Sequence, residues 1–552
     1  MRHSSYRTIL VILCLTFALA AWLLLSRSNT GFAAQAQTVQ AKPYVRSQSA
    51  QLQPASITRK PLSPDPRPVT PAGSELYTAK RGEAIPTIAR HYLGRTSYLT
   101  SSQLASAIRS VNHKSDASNI LKANEAIIIP GILFAPVTEK TVPVPKDFEV
   151  RAVYLTGVMA ASDKGVNIVR HWREVGGNAV VFDIKDSDGS VAIPFEHPLL
   201  GEHKVYIHDV PKLVRFLHQQ NMHAIARIAI FRDERLVTQH PELAVQSRKN
   251  HTAWRENGKL VWSDPSNPKV QDYNIALAKH VAQLGVDEVQ FDYVRFPAEG
   301  DQKDAAFVFQ NGLPVAEAAP AVSPDSTCLV PAPRRHHKKG ETKTAPQMQK
   351  GPCPVAAKPA PRGPQRSDVI AGFLKKAYSE LHPTGALLSL DVFGVMAWQR
   401  SVDLSHTGQD IVQMARYCDV LSPMIYPSHF FGMDKIAHPG DEPAHFIGES
   451  MDRFELITKG SGVVIRPWLQ AFRWRTKTYS PEYIKIQVET ARSKGGIGFL
   501  FWNAANDYSK PFIAMPEMKA SNYKPGSKDN PKYFRGDELP TTVQAAALLP
   551  QK

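Results

Sequence analysis

From about residue 150 to residue 503, short apolar runs alternate with longer segments whose apolar residues recur at helical spacing. Eight short runs read as strands: 150–156, 178–185, 222–231, 287–294, 385–393, 418–426, 462–470 and 495–503. Between them, 268–284 carries Val270, Tyr273, Leu277 and Val281 along one helical face. The segment 367–381 carries Ile370, Phe373, Leu374 and Tyr378, with Asp368 expected as its cap. Near-continuous apolar strands separated by amphipathic helices predict a parallel sheet covered on both faces. Eight such units over this length predict an α/β chain closed into a (β/α)8 TIM barrel. An open doubly wound sheet would carry a Gly-rich turn after its first strand, and Thr156-Gly157-Val158-Met159 is not one.

The rest of the chain divides by composition. Arg2, His3 and Arg7 precede an apolar run from Ile9 to Leu25, so 1–30 reads as a signal peptide or an uncleaved membrane anchor. Residues 31–75 are rich in Gln, Ser, Ala and Pro and read as a disordered linker. A compact α+β unit is expected at 76–131 and the barrel at 148–520, with a polar, Pro-rich disordered insert at 299–366 on the catalytic face. A flexible tail fills 521–552. Cys328 and Cys353 share the insert and could close a loop in an oxidising compartment. These readings place the chain outside the cytoplasm, in the cell envelope. The formal net charge of the 552 residues is +16. The excess is diffuse or lies in stretches such as Arg334-Arg335-His336-His337-Lys338-Lys339, which suits an anionic envelope surface. No basic stripe with interleaved aromatics stands out in the folded parts, so nucleic acid is not an expected partner.

The strand ends carry the chemistry, because barrel sites are built at the C-terminal ends of strands. Asp183, Lys185 and Asp186 end the second strand, Arg227 lies on the third, and Asp292 and Arg295 end the fourth. Asp391 ends the fifth, Tyr426 the sixth, and Trp502 and Asn503 the eighth, while Arg466, Trp468 and Gln470 lie on the seventh. Residues two apart on a strand share a face. Asp183 with Lys185, Gln290 with Asp292, Ser389 with Asp391, and Arg466 with Trp468 and Gln470 would therefore line a polar mouth. Aromatics there suit the faces of sugar rings, and glycosidic cleavage needs one protonated and one ionised carboxyl group. Asp292 and Asp391 form the best pair, with Asp183 and Asp186 in reserve. Arg227 or Arg295 could keep one acid ionised while burial holds the proton on the other. The alternative reading is structural: Arg227–Asp292 and Asp183–Lys185 as internal salt bridges. The sequence contains no P-loop, GxSxG or HExxH pattern, and neither a metal nor a cofactor is expected.

Two resemblances add to this reading. Tyr77-Thr78-Ala79-Lys80-Arg81-Gly82-Glu83, Ile88-Ala89-Arg90, Val111-Asn112 and 120–130 resemble a LysM module, with Ala123-Asn124 in place of its usual Pro-Gly turn. That resemblance implies binding of N-acetylglucosamine-containing glycans such as peptidoglycan. Residues 150–510 resemble a bacterial family of glycoside-hydrolase-like proteins long labelled only as a domain of unknown function. The carrying segments are 151–156, 180–189, Gln290-Phe291-Asp292-Tyr293-Val294-Arg295-Phe296-Pro297, 422–429 and 466–470. This resemblance implies a TIM barrel distantly similar to α-amylase-like enzymes, which carry Asp, Glu and Asp on strands four, five and seven. Asp292 matches the first of these; strand five offers Asp391, and strand seven offers Arg466 and Gln470 instead of an acid.

The expectation is an envelope glycan hydrolase with Asp292 and Asp391 as the reacting pair. Lys185, Arg227, Arg295, Tyr426, Arg466, Trp468, Gln470, Trp502 and Asn503 would hold the substrate. The rival is a non-catalytic glycan-binding scaffold on a degenerate barrel. The expected partners are polysaccharide or peptidoglycan strands, with membrane anchoring through the N-terminus.

Overall fold

The computed structural model describes residues 70–115, 120–310 and 363–518, and the backbone of 327–331 and 348–352. The N-terminal unit runs β1 (Ser74–Thr78), α1 (Ile85–Tyr92), α2 (Ser101–Val111) and β2 (Ala126–Pro130). The two strands pair antiparallel, and both helices pack on them through Ile85, Ile88, Leu104, Ile108, Ile127 and Ile129. Thr100 and Gln103 close a capping box at the start of α2. Asn124 takes φ +64°, a left-handed turn conformation that Asn tolerates.

The barrel follows in eight strand–helix units. They are β3 (Val150–Leu155) with α3 (Asp163–Glu174), β4 (Ala179–Lys185) with α4 (Val210–Gln219), and β5 (His223–Ala229) with α5 (Pro268–Gln283). Next come β6 (Glu288–Asp292) with α6 (Arg366–Leu381), β7 (Leu387–Phe393) with short helical turns, and β8 (Val420–Met424) with α7 (Pro443–Thr458). The seventh strand is split into β9 (Val464–Ile465) and β10 (Trp468–Gln470), followed by α8 (Pro481–Ser493). The last unit is β11 (Gly498–Trp502) with α9 (Ser509–Met518). The break at Arg466-Pro467 follows from Pro467, whose nitrogen cannot donate to a ladder. Every neighbouring pair is parallel, and β11 bonds back to β3, so the ring closes as the hydrophobic pattern predicts.

Polar caps set the helix starts. Ser162 accepts from Gly165 N–H at 3.0 Å and Asp209 from Lys212 N–H at 3.0 Å. Asp368 caps α6 from inside: Gln365 holds the N-cap position, and Asp368, the third residue of the helix, closes a capping box by accepting from the backbone N–H of Gln365 at 2.8 Å. One parity of each strand packs outward into a continuous strand–helix core. The other parity fills the barrel with small residues below, such as Ala152 and Ala179, and aromatic ones above, such as Tyr154 and Trp468.

The insert is shorter than its composition suggests. Residues 299–310 are described; Ala305–Ala306 pairs with Gln246–Ser247, and Phe307 is buried. The backbones of Thr327–Pro331 and Met348–Pro352 pair antiparallel, where disorder was expected. The Cys328/Cys353 pairing, residues 1–69 and the tail after 518 lie outside the described residues or side chains. Cys418 is buried with a free thiol. Among the described residues, no helix is long and apolar enough to cross a membrane.

Candidate active site

The inward side chains fall into levels. At the N-terminal end, Arg466 Nη1 donates to both carboxylate oxygens of Glu288 at 3.0 and 2.8 Å, and the His223 ring lies 3.2 Å from the same carboxylate. Burial alone would raise the Glu288 carboxyl, but the Arg466 guanidinium and His223 overcome it and hold the value at about 2. Arg466 therefore belongs to the barrel floor, where parity was right but height was not. Above it, Gln290 Nε2 donates to Ser422 Oγ at 3.4 Å.

At the C-terminal ends of the strands, one guanidinium organises three acids. Arg227 Nη1 donates to Asp183 Oδ1 and Nη2 to Asp292 Oδ2, each at 2.6 Å, and Nε lies 3.8 Å from Asp391 Oδ2. Arg227, Asp183, Asp292 and Asp391 are all buried. The Tyr154 hydroxyl donates to Asp183 Oδ2, and the Tyr154 ring stacks on Trp502 at 4.0 Å. Burial raises the Asp183 carboxyl to about 7, against the pull of Arg227 and with a push from the exposed Asp186 at the rim.

Asp391 is the distinctive group. Trp468 Nε1–H donates to its Oδ1 at 2.7 Å, and Oδ2 has no hydrogen-bond partner. Burial, reinforced by the charge of Asp292, pushes this carboxyl well above the ordinary range. Asp292 differs in holding an ion pair with Arg227 and accepting Tyr293 N–H on Oδ1 at 2.6 Å. Tyr293 takes φ +52° to make that bond, and a non-glycine residue in this region stores strain of the kind found at functional sites. The result is one acid disposed to carry a proton beside one held in an ion pair with Arg227. Among the described residues, no group of three or more His, Cys, Asp and Glu could hold a metal ion.

The remaining expected site residues separate. Tyr426 is buried in the same aromatic wall as Tyr154, Trp468 and Trp502. Lys185 is not at the mouth. The register of β4 against β5 shifts between Asp183 and Lys185, so Lys185 turns outward to Asp233 at 2.7 Å and Asn274 at 2.8 Å. The Asp183–Lys185 pair does not form. Arg295 stacks over Trp262 at 4.6 Å and Phe393 at 4.5 Å and donates to Phe296 O, bonding none of the acids. Gln470 accepts Ser428 N–H at 3.2 Å and donates to Phe472 O at 3.0 Å, tying two mouth loops together. Asn503 likewise binds Ala471 O and Asp507 O.

Two features escaped sequence reasoning. Tyr154 was a polar-tipped ring on the inward parity of the first strand. The loop Phe472-Arg473-Trp474-Arg475-Thr476-Lys477 begins just past the last strand residue considered, and it does interleave cations with aromatics.

A family described as "Putative glycosyl hydrolase domain" matches residues 152–508, more than half of the chain. A search of the curated proteins finds no match. Among solved structures, a hypothetical protein from Ruminiclostridium thermocellum is 29% identical over 44% of this chain and 97% of its own, with TM-score 0.31. The PgaB (BpsB) glycoside hydrolase domain from Bordetella bronchiseptica is 13% identical over 67% and 98%, with TM-score 0.45. The spore cortex-lytic enzyme SleL from Bacillus megaterium is 10% identical over 80% and 85%, with TM-score 0.35.

Proposed function

Because the chain belongs to that glycosyl hydrolase family, we propose that its barrel cleaves O-glycosidic bonds in a cell-envelope or extracellular polysaccharide. The observation that carries this reading is the contrast between two neighbouring acids that face the same guanidinium. Burial and the charge of Asp292 push the Asp391 carboxyl well above the ordinary range and its Oδ2 has no hydrogen-bond partner, while Asp292 is ion-paired to Arg227. In the reaction, Asp391 Oδ2–H protonates the glycosidic oxygen as its bond to the anomeric carbon breaks. Asp292 meets the developing positive charge at that carbon, either as nucleophile or as base toward water. Arg227 fixes Asp292 and Asp183, Tyr154 orients Asp183, and Tyr426, Trp468 and Trp502 offer ring faces to the sugar.

The N-terminal unit is read as a glycan-binding tether for a wall strand, which its β–α–α–β order supports. The charged start and apolar run of the sequence support export, with the barrel facing outward.

The second reading, a non-catalytic glycan scaffold, draws support from the seventh strand. Its Arg466 sits in the floor and its Gln470 ties loops, so the seventh strand contributes no acid to the chamber.

The deciding experiment measures reducing ends released from a panel of envelope and exported polysaccharides by the full chain and by Asp292→Asn. Release that disappears in the variant supports the hydrolase and identifies the polymer. Binding without release from any glycan supports the scaffold.

A further inference from the structure

The aromatic wall does not stop at the carboxyl groups. Tyr426 leads to the His429 ring at 5.4 Å and to Phe472 at 5.6 Å, and His429 leads to Trp474 at 4.7 Å. Trp474 meets Phe431 edge-on at 5.8 Å. Over both rings lies the Arg475 guanidinium, 4.1 Å from the Phe431 centroid and 4.7 Å from that of Trp474. Arg475 is exposed, as are Arg473 and Lys477 on either side. Among the described residues, no carboxylate lies within ion-pair distance of Arg475 or Arg473, and Lys477 only brushes Asp441 at 3.8 Å.

The loop is held, and held under strain. Arg475 takes φ +46°, in the left-handed region. The backbone of Gly440 packs so closely that a Cβ there would lie 2.2 Å from Arg475 O. Asp441 accepts Lys477 N–H at 2.7 Å, and buried Gln470 donates to Trp474 O at 3.4 Å. Structure that pins a strained cation over two half-buried rings, with no acid to satisfy it, fits a waiting ligand better than stability. A guanidinium whose carbon lies over ring faces, with no acid bonded to it, has N–H groups to offer a carboxylate or phosphate.

We propose that Phe431, Trp474 and Arg475 form a second sugar position, beyond the one over the acids, that takes an anionic substituent, carboxylate or phosphate. The polymer cleaved is accordingly an acidic glycan. This rests on the glycan reading of the barrel, of which it names the substrate class. The charged group sits two ring-to-ring steps from Tyr426, so a less charged sugar lies over Asp292 and Asp391 while its neighbour reaches Arg475. A nucleic acid would fit less well, because its charge on every nucleotide would bring phosphates against those acids.

The test measures binding by the full chain carrying Asp292→Asn, which separates recognition from turnover. The probes are alginate and polygalacturonate beside their carboxyl-reduced forms, wall teichoic acid for the phosphate source, and single-stranded DNA. At least one acidic glycan is expected to bind ten-fold or more tightly than its uncharged or neutral counterpart. Adding Arg475→Gln should bring that ratio toward one, and Arg475→Lys should restore part of it. Carboxylated polymers or teichoic acid, whichever responds, identifies the substituent. Equal binding of charged and uncharged forms, a ratio indifferent to Arg475, no binding at all, or tighter Arg475-dependent binding of DNA each overturns the proposal. If the Arg475-dependent preference holds while the native chain releases no reducing ends, it is the hydrolase reading that fails.

Discussion

The indole Nε1–H of Trp468 donates to Oδ1 of Asp391 at 2.7 Å, which leaves Oδ2 as the oxygen able to carry the proton. The bond favours the ionised carboxyl, so it tempers the upward push of burial and of Asp292. Trp468→Phe keeps most of the ring and removes the donor, and Asp391 should then hold its proton to higher pH. A charge-assisted hydrogen bond contributes about 1.5–3 kcal/mol, so the alkaline limb of kcat/KM should move up by about one to two pH units. A limb that stays in place, or moves down, would remove Asp391 as the acid.

Asp292→Asn and Asp391→Asn should each lower kcat by about 10²–10⁴-fold, the usual range for acid–base groups. Arg227 retains Asp183 as a partner at 2.6 Å in the Asp292 variant. Its stability should therefore fall by about 1–3 kcal/mol rather than by the full cost of an orphaned buried charge. Turnover on an identified glycan, together with urea unfolding, checks both parts.

The barrel floor gives a stability change of known sign. A carboxyl held low in the folded state stabilises above its unfolded value and loses that contribution as pH falls. Glu288, held at about 2 against an ordinary 4.5, should contribute about 3 kcal/mol above pH 4.5, fading as pH drops toward 2. Glu288→Gln should be less stable than the native chain at pH 7, and the gap should close by pH 2. Urea midpoints at pH 7, 4 and 3 would show it. A gap that is constant with pH would mean that the Arg466–Glu288 contact contributes nothing as an ion pair.

Gly440→Ala tests the mouth loop from behind. The added methyl carbon would meet Arg475 O at 2.2 Å, so the 473–477 loop must move. KM for an acidic glycan should rise several-fold, while the far-ultraviolet circular dichroism of the barrel stays that of the native chain. An unchanged KM would show that the loop's placement does not matter to the substrate.

The barrel was legible because its strands are apolar runs bracketed by amphipathic helices, and nothing in that pattern needs long-range information. Asp292, Asp391 and Arg227 were legible because charged residues in such runs must find one another. Three things were not. Parity gives the face of a strand but not the height along the barrel, so Arg466 looked like a mouth residue. A bulge inserts one residue without marking the sequence, so Lys185 was counted with Asp183 although it points the other way. Loops have no period, so Arg473, Trp474 and Arg475 passed unnoticed one step beyond a strand whose end had been read correctly.

That bulge in β4 has a stoichiometric consequence. Without the extra residue, the side-chain phase of the strand would bring the Lys185 ammonium inside with Asp183. The chamber would then hold two cations for the three carboxyl groups of Asp183, Asp292 and Asp391. With Lys185 sent out to Asp233, a single guanidinium faces three acids and bonds two of them, and electroneutrality in a buried space is approached only if protons stay behind. The chamber is in this sense a proton store whose capacity is set by the length of one strand.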